Sequence, residues 1–345
     1  MKLVLFWLIV VPAYHTFSQP DVSCSFPPEL NESSGLEWVC GELFSHNDSG
    51  DTTRIFRISE SGILLEKIYL QNTTHLDWED IAFDAQNNVL FVGDLGSNNY
   101  FYERPNRVIY AVDVGSLTPQ DSIGVIFFGF EDYTDFTDHS NFDCEAMIVL
   151  DHFIFLFTKN HGTSGYSKIY RLNRTGEVQT AILIDSIYTL HPVTAADSWL
   201  NQVALLTEFE VILLVFENGL FTTYTEIDLI SQQFEGIAFK NKNELLISAE
   251  NSLNQLYSLQ IGDDEVSEDF VYVPSADFIA VRLNPDLDLP KNIQVFSETG
   301  QLVVTNKPSE CACEILIGTS DLPGGAYVVS IERTNGSSAQ KIVLP

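Results

Sequence analysis

Short apolar runs, most of them five to eight residues long, follow one another from about residue 25 to residue 274. Val39 to His46, Arg54 to Ile58 and Ile63 to Leu70 form a first set, divided by Asn47-Asp48-Ser49-Gly50 and Ser61-Gly62. Val89 to Gly93 and Val108 to Val114 continue it, as do Phe153 to Thr158, Lys168 to Leu172, Gln202 to Thr207 and Val211 to Phe216. Runs of this length bounded by Gly, Asn and Asp read as strands joined by tight turns. No long stretch carries the 3.6-residue apolar period of an amphipathic helix. The pattern predicts an all-β chain built as a sandwich, a barrel or a propeller.

A recurring cassette favours the propeller. Its copies are Ser34-Gly35-Leu36, Glu79-Asp80-Ile81-Ala82, Glu145-Ala146-Met147, Thr194-Ala195-Ala196-Asp197 and Glu235-Gly236-Ile237-Ala238, each followed by two or three strands. Successive copies start 45, 66, 49 and 41 residues apart. That is the length of a blade, with one surplus between 115 and 143 that is acidic and aromatic and is expected to form a long loop over one face. The predicted fold is therefore a five- or six-bladed β-propeller. From Asp277 onward prolines interrupt the pattern, and two hairpin-like pieces, Asn292 to Val304 and Leu322 to Leu344, predict a small C-terminal β-sandwich.

At the other end, Lys2 and the apolar run Leu3 to Ala13 precede Thr16 and Ser18, the small residues that flank a signal-peptidase site. The expected division is a signal peptide at 1–18, a propeller at 19–274 and a C-terminal module at 275–345. No segment reaches the ~18 apolar residues of a membrane-spanning helix.

Composition narrows the partners. With 48 acidic and 17 basic residues the formal charge is −31, which repels nucleic acid and anionic membranes and attracts cations. An exported chain permits disulfides. The five cysteines are Cys24, Cys40, Cys144, Cys311 and Cys313, and Cys24–Cys40 is the bridge expected within the first blade. No Cys/His array with zinc spacing occurs.

Two resemblances follow from these residues. Ile293 to Val304, Leu322-Pro323-Gly324-Gly325-Ala326-Tyr327 running on to Ile331, and Lys341 to Leu344 resemble the type IX secretion C-terminal sorting domain of Bacteroidota-type bacteria. That resemblance implies passage through the outer membrane by the type IX machinery and a secreted or cell-surface destination. The body resembles the bacterial propellers found attached to such domains, through Glu32 to Leu36, Asp77 to Ala82, Gly93 to Asn99 and Cys144 to Met147. A looser likeness, to calcium-dependent nucleotidase and phytase-like propellers, is one of fold and does not transfer an activity.

The innermost strand of a propeller blade lines the channel, so cassette residues far apart in sequence converge on one axis. Glu79, Glu145 and Glu235 share a cassette position, with Asp80 and Asp197 nearby. Crowded carboxylates need a cation, a proton or hydrogen-bond donors. An oxygen-only set suits calcium, and these five residues are the expected metal ligands. The competing expectation is that they cap turns and accept backbone N–H bonds inside the blades. Asn47, Asp48, Asp94 and Asn98 lie in turn-rich loops and are candidates for a ligand-binding face. The functional expectation is an exported propeller that binds a small molecule, glycan or protein. The alternative is a calcium-dependent, phosphoesterase-like hydrolase, for which Arg54, Arg57, Arg104 and Arg107 are the nearby cations.

Overall fold

An apolar run flanked by turns hides both its faces only when strands pair into a sheet and sheets stack on sheets. The computed structural model shows this arrangement as a ring of small antiparallel sheets followed by a two-sheet unit. It describes residues 14–17, 19–48, 50–97, 104, 106–114, 123–133, 142–150, 152–160, 165–230, 232–250, 254–262, 270–275, 278–283, 289–308, 314–334 and 336–345.

Two strands, β1 (Tyr14–Phe17) and β2 (Asp21–Ser25), precede the blades. Blade I comprises β3 (Ser33–Val39), β4 (Glu42–Asn47), β5 (Arg54–Ser59) and β6 (Leu64–Tyr69). Blade II comprises β7 (Trp78–Asp84), β8 (Val89–Asp94), β9 (Arg107–Asp113) and β10 (Gly124–Phe130). In blade III the strands are β11 (Cys144–Leu150), β12 (Phe153–Thr158), β13 (Tyr166–Asn173) and β14 (Val178–Tyr188). Blade IV holds β15 (Val193–Trp199), β16 (Gln202–Thr207), β17 (Glu210–Glu217) and β18 (Leu220–Asp228), with β1 parallel to β18 on its outer edge. Blade V takes only β19 (Phe234–Asn241), β20 (Glu244–Ala249) and β21 (Gln255–Gln260) from its own stretch of chain. Its fourth strand is β2, which pairs antiparallel with β21. The N-terminal strand thus locks the ring.

The inner strands β3, β7, β11, β15 and β19 lie side by side in that order, and β19 returns to β3. Burial falls from axis to rim: β3 is buried throughout, whereas β14 is mostly exposed or half-buried. Apolar clusters fill the wedges between blades. Phe44 and Ile55 of blade I meet Ile81 and Val92 of blade II. Leu36 and Phe56 of blade I meet Ala238 and Leu246 of blade V, which closes the circle of cores. Tight turns carry the residues that tolerate positive φ, as at Asn218 (φ 53°) and Gly219 (φ 82°) between β17 and β18.

Two expectations are corrected. The surplus between 115 and 143 is not all loop. Its segment Gly124–Phe130 is β10, whose Ile126, Phe128 and Phe130 are buried at alternate positions, and β10 runs parallel to β14 with Phe127 opposite Val178. Cys24 does not bridge Cys40. As part of β2 it belongs to the last blade, and its thiol donates to the Glu60 carbonyl at 3.6 Å. Cys40 is disulfide-bonded to a partner outside the described residues, where Cys311 and Cys313 fall.

The C-terminal unit packs a sheet of β22 (Phe270–Ser275), β23 (Phe278–Arg282) and β26 (Glu314–Gly318) with a sheet of β24 (Asn292–Ser297), β25 (Leu302–Asn306), β27 (Gly325–Arg333) and β28 (Gly336–Leu344). Ile279, Val281, Ile293, Val295, Val329 and Ile331 fill the space between them. Gln340 of β28 clasps the backbone N–H and C=O of Val271 at 3.0 and 2.9 Å, tying one sheet to the other. The Tyr327 hydroxyl donates to the Pro323 carbonyl at 2.6 Å, which fixes the Pro-Gly-Gly turn that leads into β27.

Candidate cation site at the mouth of the channel

Every inner strand starts with a β-bulge, and the bulge falls on the cassette. Pairing slips between Ser33 and Leu36, Trp78 and Asp80, Cys144 and Ala146, Val193 and Ala195, and Phe234 and Gly236. The residues displaced from the ladder are Ser34 with Gly35, Glu79, Glu145, Thr194 and Glu235. A bulged residue has no cross-strand partner and is re-aimed. The two hydroxyl residues use that freedom to bind the next blade, Ser34 to the Glu79 carbonyl at 2.7 Å and Thr194 to the Phe234 carbonyl at 3.0 Å. The three glutamates share a common electrostatic field at this end of the ring.

The residues that follow the second strands form another set around the same end. The amide of Asp48 bonds to the Glu32 carbonyl at 2.8 Å, Lys159 to Asp143 at 2.8 Å and Glu250 to Gln233 at 2.9 Å. Repetition of one backbone bond places Asp48, Lys159 and Glu250 at equivalent heights beside the bulges. The Lys159 ammonium lies 2.9 Å from Glu145 Oε2. Burial opposes its charge, but Glu145, Glu79 and Asp143 hold it above the ordinary lysine range.

Asp48, Asp77 and Glu79 make the tightest carboxylate group, with one oxygen from each lying within 4.8 Å of the others. Oxygens on opposite sides of one calcium ion stand ~5 Å apart, so this spacing fits a single ion. Glu79 is 3% exposed, and its Oε1 has no hydrogen-bond partner. The wall beside it is Gly96. A Cβ built there would fall 1.8 Å from Glu79 Oε1 and 2.5 Å from Asp77 Oδ2, so a larger residue would push the ends of both carboxylates aside. Burial first, and then repulsion from Glu145, Asp48, Asp77 and Asp143, raises the Glu79 carboxyl well above its usual range. Glu145, 2% exposed, is raised by burial against the pull of Lys159, and its Oε1 also lacks a partner. Burial raises Glu235 to about 7, opposed by Lys159.

The other expected ligands have different tasks. Asp80 accepts the amides of Ile81 (2.9 Å), Met147 (2.7 Å) and Ala196 (3.3 Å), so one carboxylate of blade II holds the inner strands of blades III and IV. Asp197 accepts Ser198 and, on blade V, Phe239, both at 2.6 Å. Among the candidates for a ligand face, Asp94 is fully buried, pairs with Arg104, and accepts the Leu76 and Asp77 amides. Asn47, the last residue of β4, accepts the Glu32 amide and donates to Glu29 and Asp51. Asp48 belongs to the carboxylate group itself, and Asn98 lies outside the described residues. Sequence reasoning passed over Asp77, Gly96, Lys159 and Glu250. The signal for Lys159 and Glu250 was their place at the end of a second strand, equivalent to Asp48.

Comparison with known proteins adds the tail. Residues 273–345 match the secretion system C-terminal sorting domain family. No curated protein sequence matches the chain. Among solved structures it is similar to PorZ, a surface component of the type-IX secretion system of Porphyromonas gingivalis, at 14% identity and TM-score 0.33 over 90% of this chain. The chain spans about half of that protein's length, 51%. It is also similar to the glutaminyl cyclase of Myxococcus xanthus, at 11% identity and TM-score 0.45 over 71% of this chain and 98% of that one. The Cps50 (Swd1) β-propeller domain of Myceliophteria thermophila gives 10% identity and TM-score 0.36 over 90% and 97%. In class, the protein is an exported all-β propeller with a β-sandwich tail. That tail is a type IX secretion C-terminal sorting domain, which directs the chain to the cell surface or beyond it. Among the described residues, no helix is long and apolar enough to cross a membrane.

Proposed function

We propose that this chain is a surface or secreted binding propeller whose channel mouth holds one calcium ion on Asp48, Asp77 and Glu79. The observation that carries the reading is the buried, unpartnered Glu79 Oε1, gathered beside Gly96 in a group with one oxygen each of Asp48 and Asp77. A buried carboxylate oxygen without a donor, such as Glu79 Oε1, is costly unless a cation or a proton meets it. Three hard oxygen ligands suit calcium and leave coordination positions for water or a bound ligand. The signal peptide belongs to the same proposal. Cleavage after Ser18 removes β1 and leaves Gln19 just ahead of β2, the strand that closes the ring. A binding role fits better than phosphoester hydrolysis, because the arginines available for phosphate are engaged. Arg54 pairs with Asp51, Arg57 with Glu42 and Glu66, and Arg104 with Asp94, while Arg107 is buried against the Leu95, Arg104 and Phe142 carbonyls.

Thermal melting in calcium and in EGTA tests the reading. Calcium at a hundredfold over its dissociation constant stabilises the fold by about 2.7 kcal/mol, which moves the midpoint by a few degrees. Glu79→Gln and Gly96→Ala abolish that shift while the EGTA melts stay cooperative. A wild-type midpoint that neither calcium nor EGTA moves sinks the calcium site.

A further inference from the structure

Of the three side chains gathered at the mouth, two come from firmly held backbone. Asp48 follows β4, and its amide bonds to the Glu32 carbonyl at 2.8 Å. Glu79 is the bulged residue of β7, with paired residues on either side of it. Asp77 stands one residue before β7, in a turn whose preceding residue, Leu76, is 65% exposed. Other groups supply what a strand does not. Asp94, the fully buried last residue of β8, accepts the Asp77 amide at 2.9 Å and the Leu76 amide at 3.3 Å. The Leu95 and Gly96 amides donate to the Asp77 carbonyl at 3.0 and 3.2 Å. The segment from Asp94 to Gly96 thus grips Asp77 at both of its peptide groups.

One guanidinium closes the grip. Arg104 pairs through Nη2 with Asp94 Oδ1, donates from the same nitrogen to the Asp94 carbonyl at 2.9 Å, and donates from Nη1 to the Gly96 carbonyl at 2.7 Å. Its own carbonyl accepts from the buried Arg107 at 3.0 Å. Blade I shows that the turn itself needs no ion pair. Asn47 stands there in the place of Asp94: it ends the second strand, lies opposite the residue before the bulge, and accepts the Glu32 amide at 3.2 Å. A neutral side chain therefore does the same holding. A buried ion pair adds little stability over a neutral replacement, whereas a forked guanidinium fixes the geometry of the groups it bridges. The two blades differ in what is held. Asp77 is a member of the carboxylate group, in which its counterpart Glu32 has no part.

We infer that Arg104 is the positioning residue of the cation site: by bridging the Asp94 carboxylate and the Gly96 carbonyl it sets the Asp77 carboxylate beside those of Asp48 and Glu79. The inference rests on the calcium reading and adds a residue that governs affinity through Asp77. Without the fork the turn keeps its backbone bonds but loses its setting, and the ion loses one of its three carboxylate oxygens to water.

Isothermal titration of calcium into the full chain tests it. Asp94→Asn with Arg104→Met copies the neutral arrangement of blade I, keeping the net charge and an acceptor for the Asp77 amide; it is expected to weaken calcium at least about fivefold. Arg104→Lys keeps the charge and loses the fork, and should weaken calcium at least about threefold. Asp84→Asn with Arg174→Met removes an equally buried ion pair from the opposite end of β7. It should lower the melting midpoint in EGTA yet leave the dissociation constant within about twofold. With Asp77→Ala already in place, replacing the Asp94–Arg104 pair should change affinity by less than about twofold, since no side chain is left to position. Wild-type affinity in the first double variant or in Arg104→Lys overturns the inference. So does an equal loss from the Asp84–Arg174 pair, or a full loss that persists over Asp77→Ala. A wild type that binds calcium while these variants match it removes the role of Arg104 alone; a wild type that binds none removes the calcium site with it.

Discussion

At Glu235 two influences compete, and burial prevails over the pull of Lys159, leaving the carboxyl at about 7. The folded protein therefore holds this proton more tightly than the unfolded chain does. The stability it contributes is fully present below the unfolded value near 4.5 and is lost as pH rises through about 7. The difference amounts to about 3 kcal/mol at most, reduced by the water that still reaches this half-buried side chain. Glu235→Gln imitates the neutral acid at every pH. Measured by calorimetry in EGTA, the variant melts with the wild type near pH 5 and increasingly above it toward pH 8. A constant offset across that range contradicts the assignment. The three glutamates were legible from the sequence because repeat position dictates which residue is bulged toward the mouth. Asp77 was not, since it precedes the cassette and enters the carboxylate group only through the backbone turn in which the Leu95 and Gly96 amides donate to its carbonyl. Gly96 could not be read either, because its role is set by how closely the Glu79 and Asp77 carboxylates approach it.

The strand-to-strand level shows how carboxylates of one chain divide between binding and holding. Glu37 of β3 accepts the Phe83 amide of β7 at 2.8 Å, Asp80 of β7 reaches β11 and β15, and Asp197 of β15 reaches β19. Acid side chains thus join blades whose inner strands are not hydrogen-bonded to one another. Asp80→Ala strips the acceptor from three buried amides, at about 1–3 kcal/mol for each group left unsatisfied. Urea unfolding is expected to show a loss of about 3–5 kcal/mol, while the calcium midpoint of the folded variant stays within about threefold. Lost calcium affinity with intact stability would return Asp80 to the ligands. Second strands were legible as short apolar runs, and inner strands through the recurring cassette. Of the outer strands, β6 was read as a run and β2, β10, β14 and β18 were not. β10 lies inside an acidic, aromatic surplus, and β2, Asp-Val-Ser-Cys-Ser, has no apolar face, Val22 being exposed. Its place is set by backbone pairing with β21, a partner more than two hundred residues away that local pattern cannot reveal.

Over the whole molecule, the propeller and the tail bury their apolar residues separately. The clusters between blades draw on residues from Cys24 to Ile261, whereas the cluster of the C-terminal sandwich begins at Val271. Strand pairing divides in the same way, since β2 returns to β21 and β22 pairs with β23. Closure needs both ends of the propeller stretch but none of the tail, so the two units are expected to fold independently. Export then depends on residues that add nothing to the blades. A chain ending at Ile261, with Cys40→Ser so that the lost disulfide leaves no new free thiol, should keep a cooperative melt and the calcium response of the full protein. Expressed with residues 1–18 in a bacterium that has the type IX machinery, it should collect in the periplasm instead of reaching the surface. Fractionation and protease shaving of intact cells read the location, and melting of the purified product reads the fold. Surface delivery of the shortened chain would move the export signal into the propeller. A shortened chain that fails to melt cooperatively would make the sandwich part of the structure that holds the ring closed.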